Sequence, residues 1–267
     1  MNRQQEALAK ACCADLYQSS LARLILGDTL HPGGLALTNR LAKLMAIPEG
    51  GWVVDLASGQ GASAMAVSRV FHCNVVGVEF GAEAVAQSRA KSLEFPTAPA
   101  SSFLRGDAEC APFRPGSFHG VLCECSMSLF HDKAGAVAQA ARLLRPGGRF
   151  GLSDVTVEPG CLPPELDGTL GQLLCLTEAL TLEGYADLLE AAGLAIVVQE
   201  DASVEILKIL DSVETKLGAL SAWQGLSGQA APEPEMVEQA PGLIVQMRDL
   251  VAAGKIGYWL LVAEKPG

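Results

Sequence analysis

From residue 52 onward the apolar residues fall into two alternating rhythms. Short runs, Trp52–Ala57, Asn74–Glu79, His119–Glu124 and Arg149–Asp154, are too brief for helices and end against glycine or polar residues, so they predict buried strands. Ser102–Arg105, after a loop at Pro96–Pro99, predicts a weaker strand. Between these runs, Ala62–Phe71, Ala82–Leu93 and Lys133–Leu144 carry apolar residues at helical spacing, the last helix ending at Arg145-Pro-Gly-Gly148. Strands that alternate with helices of this length imply crossover units and a parallel sheet covered on both faces.

The flanks read differently. Residues 2–26 predict a helix with an apolar face at Leu8, Ala11, Leu16, Leu21, Leu24 and Ile25, broken by Gly27, Pro32, Gly33 and Gly34. A second helix spans Leu35–Met45 and stops before Pro48. After Pro163-Pro164 come two helices, 165–174 and 181–192, then a strand at Leu194–Gln199 and a last one at Ile256–Ala263. The stretch between those strands is helical, with a Gly/Pro-rich break near 225–234.

Charge narrows the partners. The 267 residues carry a net charge of −11, with 49% hydrophobic and 18% charged residues. A chain this acidic repels nucleic acid and anionic membrane surfaces, and leaves a small neutral or cationic ligand as the expected partner. Arg23, Asp28, Glu124 and Glu178 interrupt the apolar stretches before any reaches the ~18 residues of a membrane span. The first residues lack a signal-peptide core, so a cytoplasmic location is expected. The eight cysteines are then expected to be free thiols serving packing, ligation or catalysis.

The strongest local signal is Val53-Val-Asp-Leu-Ala-Ser-Gly-Gln-Gly61, an apolar strand that runs into Gly59-x-Gly61 and then a helix. Glycines there allow a tight turn and close approach of the backbone to a ligand. The next strand ends in Glu79, an acid placed to accept hydrogen bonds from both hydroxyls of a ribose. A dinucleotide fold would place a third glycine where Ala64 stands, and would not put an acid ahead of the turn as Asp55 is.

The D-x-x-x-G-x-G spacing of Asp55, Gly59 and Gly61 resembles motif I of class I S-adenosylmethionine-dependent methyltransferases, with Ala57 where many members have a first glycine. Arg105-Gly-Asp-Ala-Glu109 with Pro112-Phe113, Ser117-Phe118, and Leu143-Leu-Arg-Pro-Gly-Gly148 follow in the family's order. The resemblance covers roughly residues 50–155. It implies an α/β fold: a seven-stranded, mostly parallel sheet with helices on both faces and an antiparallel last strand. It also implies S-adenosylmethionine as cofactor and no metal. By the resemblance, Asp55, Ser58, Gly59 and Gly61 surround the methionine part, Glu79 holds the ribose, Asp107 and Ala108 meet the adenine, and Phe80 packs on it. Cys123 at the end of the fourth strand is counted with this set, although burial as packing is the competing reading for it, as for Cys73 and Cys110. The implied organisation is one methyltransferase domain: a helical extension 1–48, a cofactor-binding core 49–200, a helical insertion 201–254 and a last strand 255–267, with extension and insertion placed to cover an active site.

Cys125, just beyond the fourth strand, and Cys175, on the helix after the fifth, are the candidate catalytic pair. The stretch Cys125–Asp154 resembles arsenite methyltransferases, in which a cysteine at this place binds trivalent arsenic. Cys175-Leu-Thr-Glu-Ala-Leu180 resembles that family's second arsenic-binding segment. The family's further cysteine shortly before motif I has no counterpart in residues 26–52, and Cys12-Cys13 lie far upstream. The expected function is methyl transfer to a small molecule, with a thiol-bound metalloid or an organic oxygen, nitrogen or carbon as acceptor. A cofactor-binding sensor without turnover is the non-enzyme alternative. For an organic acceptor Glu124 and His31 are the candidate bases, although His31 reads first as a loop residue, and Tyr17 and Ser20 are weaker pocket candidates. Cys161 reads as a mobile surface thiol, and Asp132 as a helix cap. The residues leave oligomeric state open.

Overall fold

The computed structural model describes residues 31–94, 100–166, 168–227 and 234–267. The expected helix over 2–26, with Cys12, Cys13, Tyr17 and Ser20, lies outside the described residues. The elements run α1 (Gly34–Leu44), β1 (Trp52–Leu56), α2 (Ala62–Phe71), β2 (Asn74–Glu79), α3 (Ala82–Glu94), β3 (Ser101–Arg105), β4 (Phe118–Glu124), α4 (Lys133–Leu143), β5 (Leu144–Val157), α5 (Thr169–Leu173), α6 (Leu182–Ala191), β6 (Ala195–Asp201), α7 (Val204–Ser227), α8 (Pro234–Ala252) and β7 (Ile256–Glu264).

The seven strands form one sheet in the order β3-β2-β1-β4-β5-β7-β6. β1 through β5 pair in parallel, and β7 is antiparallel to both β5 and β6. This is the class I methyltransferase fold. The strands read as unbroken apolar runs because both faces are covered. Val53, Val75 and Leu122 enter one core with Leu41, Met45 and Tyr258, while their neighbours Val54, Val76 and Val121 enter the other with Phe150 and Tyr185.

Strand order reverses between β1 and β4, and in open α/β sheets the crevice at such a switch point is where ligands sit. The carboxyl ends of β1, β2 and β4 therefore deliver Ala57–Gly61, Glu79 and Cys125 to one rim.

Two expected elements differ. β5 begins at Leu144 and takes in the Arg145-Pro-Gly-Gly148 segment, with a register shift against β4 between Phe118 and Gly120. The helix expected over 165–174 is a 3-10 turn at Pro164–Leu166 and the five-residue α5, separated at Gly168, which has an extended backbone. Asp132 caps α4 as expected, its Oδ1 accepting from Gly135 N at 2.8 Å.

Candidate active site

Beyond β1 the chain turns through three left-handed residues, Ala57 (φ 58°), Gly59 (φ 52°) and Gly61 (φ 81°). A Cβ on Gly61 would come within 2.5 Å of the Phe103 ring, so close packing as well as φ demands glycine there. Gly77 on β2 is equally constrained, by Phe103 and Ser58 Oγ. Ala57 holds the same kind of backbone with a Cβ attached, and it occupies the position where the resembling family favours glycine.

Glu79 is nine-tenths buried, and its carboxylate accepts from Gly59 N at 2.9 Å and Gly81 N at 2.6 Å. Burial nevertheless pushes its pKa up, against the lowering by these amides. The acid thus ties the β1 turn to the end of β2 and keeps lone pairs free for further donors. Asp55 is almost fully buried, and its Oδ2 has no hydrogen-bond partner among the described residues. Burial, and then the charges of Glu124 and Glu79, hold its pKa well above the ordinary carboxylate range. Ser58 Oγ is a second buried atom without a partner. Asp107 caps a 3-10 turn at Ala108–Cys110 by accepting from Glu109 N at 2.9 Å. Ala108 is buried beside it, and Phe80 is partly exposed, its carbonyl accepting from Arg105 Nε.

These residues fit S-adenosylmethionine. The glycines leave room for a ligand, Glu79 has acceptor capacity to spare, and the Asp55 and Ser58 oxygens, unpartnered among the described residues, suit a ligand that carries donors and positive charge. Cys123 does not join them. It is fully buried among Val54, Leu56 and Met127, where burial first and the charge of Asp154 next push its thiol pKa well up. Its side chain alternates away from that of Glu124 along β4, so the packing reading replaces cofactor contact. Cys110, expected to pack, is exposed on the rim. Cys73 is buried as expected, and Cys161 is half-buried with its Sγ donating to Lys255 O at 3.6 Å.

Cys125 and Cys175, fifty residues apart, meet. Sγ of Cys125 donates to Sγ of Cys175 at 3.4 Å, and the latter reaches the Cys125 carbonyl at 3.4 Å. Both are buried (6% and 1% exposed), and both have left-handed backbones, φ 48° and 61°. Cys175 follows the last turn of α5, where glycine is favoured. Strain of this kind persists where the surroundings impose it, and it clusters at functional sites. The bond from Cys175, then burial, raises the Cys125 thiol pKa well above its usual value. The pair opens on a cavity of about 50 Å³ whose remaining lining is apolar, including Leu174, Ile206, Leu210 and Met247. α7 and α8 thus supply part of its wall.

The candidate bases Glu124, beside Cys125 in the chain, and His31 join a polar cluster with Thr38 and Ser63, which sequence reasoning missed. Glu124, nine-tenths buried, accepts from Thr38 Oγ1 at 3.0 Å. His31, read first as a loop residue, is buried; its Nε2 lies 3.4 Å from Thr38 Oγ1 and from Ser63 Oγ, and 3.8 Å from Glu124 Oε2. Thr38 stands on the apolar side of α1, so only its burial signals the role. Among the described residues no helix is long and apolar enough to cross a membrane.

A family model described as a methyltransferase domain matches residues 53–148, the strand–turn–helix units that carry the residues above. The 27-O-demethylrifamycin SV methyltransferase of Amycolatopsis mediterranei is 27% identical over 240 residues, 89% of this chain and 86% of its own length. Among solved structures, phosphoethanolamine N-methyltransferase 2 of Haemonchus contortus, in complex with S-adenosyl-L-methionine, has a TM-score of 0.76 at 17% identity, covering 96% of this chain and 60% of that one. The [4+2]-cyclase SpnF has a TM-score of 0.73 at 21% identity, covering 96% and 94%. At such identities these two structures speak for the fold alone. The fold is that of class I methyltransferases, and the matched domain together with the relatives' common activity makes this chain an S-adenosylmethionine-dependent methyltransferase.

Proposed function

We propose that the acceptor is a small thiophilic centre, trivalent arsenic, held between Cys125 and Cys175. The observation that carries this is the 3.4 Å sulfur–sulfur approach of two buried, strained thiols just beyond the carboxyl end of β4. A soft atom bonded to both sulfurs at ~2.3 Å, the distance sulfur keeps from zinc, would span that gap at an angle of roughly 95°. That angle suits a pyramidal trivalent centre better than a tetrahedral metal. Among the described residues no group of three metal-type ligands forms, so the pair fits a substrate better than a resident ion.

Loading balances without a base. Each thiol proton would leave with one arsenic-bound hydroxide as water while a sulfur–arsenic bond forms; the arsenic lone pair would then form the bond to the methyl carbon as the carbon–sulfonium bond breaks with its electron pair left on sulfur, giving a neutral thioether and a methylated, pentavalent arsenic centre. The cofactor supplies an electrophilic methyl on a sulfonium. Asp55, Ser58, Gly59 and Gly61 would hold its methionine part, Glu79 its ribose, and Asp107, Ala108 and Phe80 its adenine. The protein's own contribution is placement and a dry site: apolar side chains line the cavity around the thiols, and Ile206, Ile209 and Leu210 of α7 with Met247 of α8 cover it.

A second reading is an organic acceptor. The Amycolatopsis relative is named for methylation of 27-O-demethylrifamycin SV, and the same apolar cavity suits a hydrophobic molecule. In that reading Glu124, with His31 3.8 Å away, takes the acceptor proton. The deciding experiment presents labelled cofactor with trivalent arsenicals and, separately, a panel of hydroxylated aromatic and macrocyclic compounds. Arsenic labelling that needs both cysteines supports the first reading; labelling of organics alone, unaffected by Cys125→Ser, replaces it with the second. Cofactor binding with no labelling in either arm revives the sensor alternative.

A further inference from the structure

Glu124 has two oxygens with different fates. Oε2 accepts from Thr38 Oγ1, while Oε1 is buried with no hydrogen-bond partner among the described residues. The same holds for Asp55 Oδ2 and Ser58 Oγ. Asp55 and Glu124 lie at the carboxyl ends of adjacent strands, β1 and β4, where Asp55 is paired with Leu122. No lysine or arginine of the described residues forms an ion pair with either acid; the ring of His31 is the basic group beside Glu124. The other titratable groups around them are Glu79, Cys123 and Tyr258, none of which brings positive charge. Two buried acids left this way are costly to keep charged, and Asp55 favours holding a proton, until a cation arrives.

We propose that Glu124, aligned by Thr38 and acting with Asp55, is a charge-selecting residue that favours the sulfonium cofactor over its neutral thioether product. The proposal rests on the assignment of this crevice to S-adenosylmethionine. The cofactor brings two positive charges, an ammonium and a sulfonium, and the product keeps only the ammonium. An anionic seat therefore holds the ligand less tightly once the methyl has left. The preference requires a carboxylate with one oxygen fixed and the other free. Thr38 provides the fixing from α1, an element outside the strand–turn–helix units that hold the rest of the cofactor.

The test is calorimetric and needs no turnover. Affinities for S-adenosylmethionine, S-adenosylhomocysteine and sinefungin, which carries an amine in place of the sulfonium, are measured for the parent protein and for Glu124→Gln. The isosteric amide should cost the two charged ligands about tenfold and S-adenosylhomocysteine less than about threefold. Glu124→Asp should restore part of the preference. Thr38→Val, which removes only the aligning hydroxyl, should move the same ratio in the same direction by a smaller factor, and it serves as the readout if Glu124→Gln fails to fold. Equal losses for all three ligands, or no loss, overturn the proposal. Failure of the parent protein to bind any of the three would instead overturn the cofactor assignment itself.

Discussion

On the cofactor side of the switch point, carboxylates converge on glycine turns, and several polar atoms await a donor. On the acceptor side, a few ångströms further along β4, the walls are leucine, isoleucine and methionine, and the polar content is two thiols that bond each other. The turn, ribose and adenine residues of the first region are local in sequence, within residues 55–108, with Thr38 and Glu124 joining them from outside. The second is assembled from β4, α5, α7 and α8 across more than 120 residues. The difference separates two tasks. Under the proposed function, fixed acids and amides would recognise a cofactor rich in charge and hydroxyls, whereas the acceptor region would select by softness and by exclusion of water. Changes on one side should therefore leave the other side's binding intact.

The largest expected effect is on the acceptor side. Cys125→Ser and Cys175→Ser should each cut arsenic methylation by a factor on the order of a hundred or more, because a hydroxyl oxygen is a poor ligand for a soft centre. Cofactor affinity, read by calorimetry, should stay within about twofold. Cys73→Ser, in the core and away from both sites, should lower the stability by about 1–3 kcal/mol and leave turnover per folded molecule unchanged. Loss of cofactor binding in either active-site variant would show that the two regions are not separable.

Next comes the cofactor side. Glu79→Ala removes the charged acceptor for two ribose hydroxyls and also frees the amides of Gly59 and Gly81. Affinity for S-adenosylmethionine should fall tenfold to a hundredfold, as expected for the loss of charge-assisted contact worth ~1.5–3 kcal/mol in all. Binding of a trivalent arsenical to the thiol pair should persist. Unchanged cofactor affinity would remove Glu79 from the site.

How much of this can be read in the sequence follows the same division. Strand runs and glycine turns obey local rules, so β1, α2, β2 and the rim residues Asp55, Gly59, Gly61 and Glu79 are legible in the residues alone. The meeting of Cys125 and Cys175 is legible only through family resemblance, since nothing local fixes the path between residues 125 and 175. Thr38 is not legible at all. A threonine on the apolar side of a helix looks like any small buried residue, and its role appears only when α1 packs over the end of β4. Cys110 and Cys123 show the limit from the other side, because residue type alone does not tell a rim from a core. Cys123 can be counted with the cofactor set or read as packing, and its full burial fits the packing reading.

A smaller effect tests whether the free cofactor site is strained by its own charges. Asp55 has its pKa raised in the folded protein, by burial first and by Glu124 and Glu79 next. Between its unfolded and folded values the native state holds a proton that the unfolded chain has lost, so stability falls as pH rises through that window. Asp55→Asn cannot ionise. It should gain stability relative to the parent as pH climbs from the ordinary carboxylate range to neutrality, while binding S-adenosylmethionine more weakly. Urea unfolding at several pH values reads the difference, and a difference that does not change with pH would show that Asp55 is not held protonated.

The smallest effect concerns backbone strain, which the two regions share. Ala57 in the cofactor turn holds φ 58° with a Cβ, and Ala46, after α1, holds φ 50°. A left-handed alanine costs ~1–2 kcal/mol. Glycine relieves that cost but gives ~0.4–1 kcal/mol back through the freedom of the unfolded chain. Ala57→Gly and Ala46→Gly should each therefore stabilise the protein by about 0.5–1 kcal/mol, while Ala86→Gly, on the exposed face of α3, should destabilise it by about the same amount. Ala57→Gly should leave cofactor affinity within about twofold, because the turn is already folded and only its internal strain changes. The cysteines at φ 48° and 61° behave otherwise: Cys125→Gly and Cys175→Gly should gain the same backbone relief yet lose arsenic methylation as fully as the serine variants do. If glycine at 125 or 175 kept methylation, the thiols would not be the acceptor ligands, and the strain they carry would have no chemical reason.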